Sequence, residues 1–371
     1  MMTTGRPAGC HHAEGTSLTL LLGAELAALG VAVLLAASLA CAAPHDGSGE
    51  SPTNAPAVLE SASVTAWRDD ARGAYSLIHD DLCAGAEGIL AHAVPELRAR
   101  GLRAGLATVS GSCEASGLAA RLQELAADGF EIVNHSYSHP HLTPELAPLE
   151  IAESRRLLES YARAPVTFFA FPFDEYTDET VALVGSAGHL GARAGGGGIN
   201  AAGFSDPLRA KFEAYGPYSS FGTRQQGLDR FVDAAVSAGG WALRECHGVA
   251  DTSWEPVPLA SYRSHLDHVR ALADAHQLWM APPSQVVRYR LARERCGEPK
   301  IVGNRVSFAE SATCVEAQSE LTIALKLTGG VSSLSVRSGD KELPVRRRAS
   351  GEWIVSLDPQ TSADVFASAA P

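Results

Sequence analysis

Residues 102–133 read LRAGLATVSGSCEASGLAARLQELAADGFEIV, and the hydrophobic period changes twice within them. Residues 102–109 are strand-like. Residues 118–128 are amphipathic at helical spacing, and Gly129 closes that helix. Residues 130–133 return to a strand pattern. This strand–helix–strand unit recurs on both sides. Upstream, 74–78 is a short apolar strand, and 87–100 places Leu90, Val94 and Leu97 on one helical face. Downstream lie a helix through Ile151, Leu157, Leu158 and Tyr161, a strand at 166–171, a helix from about Thr177, and a strand at 189–194. Residues 195–227 show no clear period. Then come helix 228–238, strand 241–246, helix 261–276, strand 278–281 and helix 284–295. Repeated βα units imply a parallel sheet, and this many suggest a barrel.

From residue 298 the pattern is different. LTIALKLTGG, SLSVRSGDKELPVRR and EWIVSLDP alternate apolar and polar residues around Gly329-Gly330 and Gly339-Asp340. We read 298–371 as a small antiparallel, β-sandwich-like accessory module, with packing or carbohydrate binding as its roles. It carries no catalytic motif.

The N-terminal segment reads differently again. Residues 26–40 are LAALGVAVLLAASLA, an uncharged run of signal-peptide length followed by small residues. Counted to Ala43, it barely reaches the ~18 residues of a spanning helix. Residues 1–43 are therefore expected to direct export, to an extracellular or periplasmic location. Ser-Leu-Ala-Cys at the end of the run resembles a bacterial lipid-attachment box, which would anchor the chain to a membrane through Cys41. An uncleaved N-terminal segment is the alternative anchor. Residues 44–62, rich in Pro, Ser, Gly and acidic side chains, read as a flexible tether. The catalytic candidate is then 63–297.

The chain is 46% hydrophobic and 19% charged, ordinary for a globular protein. A net charge of -12 with no Lys/Arg-dense stripe argues against a nucleic-acid partner, so none is expected. Of seven cysteines, five lie beyond the export region and none forms a C-x-x-C pair, so a thiolate metal knuckle is not expected. Cys296 and Cys314 bracket the start of the β-module and are expected to form a disulfide. Cys83–Cys113 is the next candidate, which leaves Cys246 as a free thiol.

Three features sit where parallel strands should end, the face on which βα barrels build active sites. Asp80-Asp81 follows the first strand. His135 and His139, in NHSYSHPHL, follow the third. His247, in WALRECHGV, follows a late one. A carboxylate with two imidazoles makes a three-ligand hydrolytic metal site with open positions. Adjacent carboxylates repel, so one of the Asp pair is expected to bind metal and the other to accept a proton. A two-His, one-carboxylate set would also suit a metal oxygenase; the doubled Asp and the late His favour hydrolysis.

SLIHDDLC, NHSYSHPH, FFAFPFDEY and ECHGV, in this order, resemble the motifs of the polysaccharide deacetylase family, the nodulation-protein-B homology domain, over about residues 63–295. The resemblance implies a distorted, incomplete (β/α) barrel that removes acetyl groups, N- or O-linked, from a polysaccharide or glycan. It also implies a divalent metal such as zinc on Asp81, His135 and His139. By the same resemblance, Asp80 is the general base and His247 the general acid, and in Phe171-Pro172-Phe173 the N–H of Phe173 helps hold the oxyanion. Two positions depart from the family pattern. An Arg is usual where Ala170 stands, and the Asp-Trp element that orients the catalytic His has no clear match. These departures leave open a glycan-binding member without activity. Arg193, at the end of the strand after that of Ala170, is a candidate for the missing cation; a surface Arg beside Gly195–Gly198 is the plainer alternative. That glycine run reads as a mobile loop. His79, where the family commonly has Phe, reads as packing or loop chemistry rather than a ligand.

Overall fold

A computed structural model describes residues 57–369. The export and lipid-attachment expectations for 1–43 and Cys41 lie outside the described residues. Among the described residues no helix is long and apolar enough to cross a membrane.

The longest barrel strand organises the fold. After β1 (Leu59–Val64), strand β2 (Gly73–Leu82) is buried along its length except at Asp81. Continuous burial is what a parallel strand covered on both faces requires. Its alternate residues serve two cores. Ala74 and Ile78 join Trp241 and Leu243 inside the sheet's curl, whereas Tyr75 and Leu77 pack with the surrounding helices. β3 (Gly105–Thr108), β4 (Glu131–Asn134), β5 (Phe168–Ala170) and β6 (Gly191–Arg193) extend the sheet on one side of β2. On the other side lie β8 (Trp241–Cys246) and then β7 (Glu213–Ala214). β9 (Leu278–Met280) also pairs with β2, at Gly73–Tyr75. All these pairings are parallel. The result is a curled, incomplete (β/α) barrel whose sheet runs in the order β6-β5-β4-β3-β2-β8-β7.

The stretch 195–227, which has no readable period, contributes the two-residue β7 and a short turn of helix at Pro207–Arg209. Within the glycine run, Gly195 lies close against a neighbouring backbone segment. A Cβ on Gly195 would come within 2.1 Å of the Arg209 carbonyl oxygen, and Gly197 bridges to Phe212. Glycine is there because two backbone segments touch.

The remaining strands form two antiparallel sheets. β10 (Lys300–Val302), β11 (Arg305–Ser307), β13 (Val331–Ser338), β14 (Lys341–Leu343) and β17 (Ser362–Ala369) make one sheet. β12 (Leu321–Leu327), β15 (Val345–Arg347) and β16 (Trp353–Leu357) make the other, together with β1. The expected tether at 44–62 therefore ends early, because Leu59–Val64 pairs antiparallel with β12, Leu59 opposite Leu327 and Val64 opposite Ile323. LESASV buries only Leu59 fully. A partner some 260 residues away makes it a strand, so local composition reads it as linker. The two sheets share an apolar core with Tyr289, Ala292 and Cys296 of helix Pro283–Cys296. Cys296–Cys314 and Cys83–Cys113 are disulfide-bonded and Cys246 is a buried free thiol, the pairing expected from their positions.

Candidate active site

Strand alternation would send the side chains of Asp80 and Asp81 to opposite faces of the sheet. The backbone at Asp81 prevents this: its φ of 66° breaks the alternation, and both carboxylates line one cleft of about 360 Å³. Positive φ at a non-glycine residue is uncommon and is held only by surrounding structure. His139 shares it, with φ of 59°.

Asp80 is buried and accepts two hydrogen bonds from Arg193, Nη1 to Oδ1 at 2.9 Å and Nη2 to Oδ2 at 2.5 Å. Burial by itself would raise this carboxyl. The Arg193 charge, His135 and the hydrogen bonds from Arg193 outweigh it and hold Asp80 well below the usual carboxylate range. Arg193 closes β6 and is 1% exposed. It also donates through Nε to Asp174 Oδ1 at 3.0 Å. Burial pushes Asp174 up to about 7; the Arg193 charge opposes that rise, while Glu245 and Asp80 add to it.

His135 follows β4. Its Nδ1–H donates to the carbonyl of Ala170 at 2.8 Å, which leaves Nε2 facing the cleft. Ala170 thus acts through its backbone, at the place where an Arg was expected. His135 Nε2 lies 3.7 Å from Asp81 Oδ1, and His139 Nε2 lies 3.6 Å from the same oxygen. The His135–His139 loop is tied down by buried Glu150, which accepts from the N–H groups of Tyr137 (2.9 Å) and Ser138 (2.8 Å) and from the Ser138 hydroxyl (2.7 Å). His139 packs edge-on against Phe173, ring centroids 4.6 Å apart.

On the opposite wall, His247 Nδ1 lies 3.2 Å from Glu245 Oε1, and Nε2 lies 3.6 Å from Asp81 Oδ2. Burial would lower this imidazole. The Glu245 hydrogen bond and the charges of Asp80, Glu245 and Asp81 outweigh it and raise His247 to about 9. Trp254, 55% exposed, packs edge-on to the same ring. Phe173, 53% exposed with φ of 56°, stands at the cleft mouth on the turn Pro172–Asp174, with Pro172 buried beneath.

Donor atoms of Asp81, His135 and His139 all lie within 4.8 Å of one another. One carboxylate and two imidazoles with a free Nε2 fit a divalent ion of the zinc type. Asp80, Glu245 and His247 also cluster within that limit, but the guanidinium charge of Arg193 already sits on both oxygens of Asp80, so that group does not suit a cation. Asp80, Asp81, His135, His139, Phe173, Arg193 and His247 thus converge on one cleft from five strand ends and their loops. Residues 69–192 match the family model described as polysaccharide deacetylase. Over this stretch the chain is similar to the polysaccharide deacetylase family.

The deacetylase match includes Asp80, Asp81, His135 and His139 and stops short of Arg193, Glu245, His247 and Trp254. Among curated proteins none matches the chain. Among solved structures, a family 4 acetyl xylan esterase from Clostridium thermocellum with a cobalt ion is 18% identical, covering 57% of this chain and 89% of that one at a TM-score of 0.39. A family 4 carbohydrate esterase from Streptomyces lividans with acetate is 18% identical (56% and 91%, TM-score 0.37). A family 4 pseudoenzyme from Bacillus anthracis is 14% identical (58% and 65%, TM-score 0.39). Likeness at this level assigns no residue a role.

Sequence reading misses Asp174, Glu245, Trp254 and Glu150. Glu245 carries a signal in retrospect: a charged residue in the apolar strand WALREC, two positions before His247 and so on the face of Leu243, inside the curl.

Proposed function

We propose that this chain is a metal-dependent hydrolase that removes acetyl groups from a glycan. One observation carries the reading: Asp80 is held as a buried anion by two hydrogen bonds from Arg193, directly beside the Asp81, His135 and His139 donor set. A buried, charge-paired carboxylate next to a cation-binding triad suits metal-assisted hydrolysis of an unactivated acyl bond.

Asp81, His135 and His139 are the residues that would hold the ion, which we take to be zinc. When bound, the ion supplies Lewis-acid polarisation of the acetyl carbonyl and a water of lowered pKa. Asp80 orients the attacking water and takes its proton on a lone pair that Arg193 leaves free. The new C–O bond forms as the carbonyl electrons move to oxygen, toward which the Phe173 N–H donates. His247 enters the reaction protonated, since Glu245 stabilises its charge, and gives that proton to the leaving nitrogen or oxygen as its bond to carbon breaks. The products are acetate and the freed amine or hydroxyl. A glycan-binding protein without activity is the less favoured reading. It drew on an absent cation and an absent partner for His247, and Arg193 and Glu245 stand in those positions.

Two disulfides support an oxidising, exported location for this activity. Acetate release over a panel of N- and O-acetylated glycans tests the function. Release should cease with chelator and return on adding zinc. Undiminished release after exhaustive chelation would overturn the metal assignment. No release from any glycan would overturn the reaction.

A further inference from the structure

The imidazole of His247 is held at Nδ1 by Glu245, but the ring can be no better placed than its backbone. His247 is the first residue beyond β8, whose pairing with β2 ends at His79 opposite Cys246. The His247 carbonyl therefore has no ladder partner. It accepts instead from a side chain, the Nδ1–H of His79, at 2.6 Å. A carbonyl only accepts, so Nδ1 carries the proton and Nε2 of His79 is an acceptor. The Tyr262 hydroxyl fills it at 2.8 Å. Tyr262 sits on helix Leu259–Asp274, and both side chains are fully buried.

The next residues leave no slack. Gly248 N–H donates to Ser253 Oγ at 2.9 Å, and Asp251 accepts from Ser253 and from Gly88 N–H. A Cβ on Gly248 would come within 1.8 Å of Asp251 Oδ2. The loop that carries both His247 and Trp254 is thus pinned at its first carbonyl by a hydrogen-bonded relay from the helix that follows it.

We propose that His79, oriented by Tyr262, is a positioning residue that sets where His247 delivers its proton. It touches neither substrate nor the metal ligand atoms; it acts through the His247 backbone. The proposal rests on the deacetylase reading, with His247 as general acid. An aromatic side chain such as Phe would fill the same space without donating to the His247 carbonyl.

The test compares His79→Leu, His79→Asn and Tyr262→Phe with the wild-type chain. Asn places an N–H near the position of Nδ1, whereas Leu keeps only apolar volume. His79→Leu should lower kcat for acetate release roughly 10- to 100-fold, the usual scale for a catalytic group displaced by about an ångström. KM and bound metal should stay near wild-type values. His79→Asn should recover most of the lost turnover, and Tyr262→Phe should fall between. Wild-type kcat in His79→Leu, or no recovery in His79→Asn relative to His79→Leu, overturns the proposal. A second readout needs no turnover, so the proposal stays testable if no glycan is cleaved and the functional reading itself fails. The imidazole ¹⁵N resonances of His247 should shift in His79→Leu and return in His79→Asn. Resonances unmoved in His79→Leu would show that His79 does not position His247.

Discussion

Asp80 is subject to opposed forces, and their balance makes the first prediction. Burial raises its carboxyl and Arg193 lowers it, with Arg193 prevailing. In Arg193→Ala the burial is opposed only by the nearby His135 and His247, so the folded-state pKa of Asp80 rises and the base becomes protonated at higher pH. The acidic limb of the pH–rate profile should move upward and kcat should fall by about 100-fold or more, the scale of general-base catalysis. Metal content should be unchanged. Arg193→Lys should rescue little, because one ammonium cannot reproduce the paired hydrogen bonds of a guanidinium. His247 is the converse case. As an acid it must be protonated, and Glu245 helps raise it to about 9. Activity is therefore present below that pKa and lost as pH rises through it. Glu245→Gln removes the stabilising charge, so its basic limb should lie at lower pH than that of the wild type with the same metal. Coincident limbs would remove Glu245 from this role.

At the scale of an element, the loop from His135 to His139 is neither helix nor strand, and Pro140 helps keep it so. Its shape comes from Glu150, whose two oxygens collect three donors from Tyr137 and Ser138. Glu150→Ala should let His139 wander and weaken metal affinity by about 10- to 100-fold, as loss of an outer-shell partner does. At saturating metal, kcat should change little. Titration with zinc, followed by activity at saturation, separates the two effects. Equal affinity in the variant would mean the ligands hold the loop and not the reverse. The Cys296–Cys314 bond works on another element, tying the end of helix Pro283–Cys296 to helix Ala312–Glu316 across 18 residues. Replacing both cysteines by Ser should cost about 2–4 kcal/mol in denaturant unfolding. Acetate release by the folded protein should persist, because the bond lies outside the cleft.

The molecule as a whole is more interdependent than a barrel with an appended module. β1 precedes the barrel yet completes a sheet made from the far end of the chain. Tyr289, Ala292 and Cys296 of the last barrel helix belong to the module's core. Tyr289 further donates to the Thr65 carbonyl at 3.2 Å. A chain truncated after residue 297 would expose that helix face and leave β1 unpaired. It should melt at lower temperature and self-associate, both measurable by calorimetry and size-exclusion chromatography. A truncated chain as stable and monomeric as the full one would make the module a separable unit.

The features legible in the amino-acid order are local or periodic. The alternation of β and α segments, the strand-end placement of Asp80-Asp81, His135-His139 and His247, and the eligibility of Arg193 all follow from short windows, because a strand's end and a helix's face are properties of a few neighbouring residues. The cysteine pairs are legible for a similar reason: each joins segments whose neighbourhood the βα order already implies. The rest depends on contacts made in the folded chain. Leu59–Val64 is a strand solely because β12 lies beside it. Gly195 is forced by a backbone crossing no window contains. Asp174 and Glu245 become carboxyl partners of the site through folding, and the relay from Tyr262 through His79 to His247 is assembled the same way. Contacts between residues far apart in the chain leave no period in it, since each partner satisfies its own local rules and their meeting is set by the curl of the sheet.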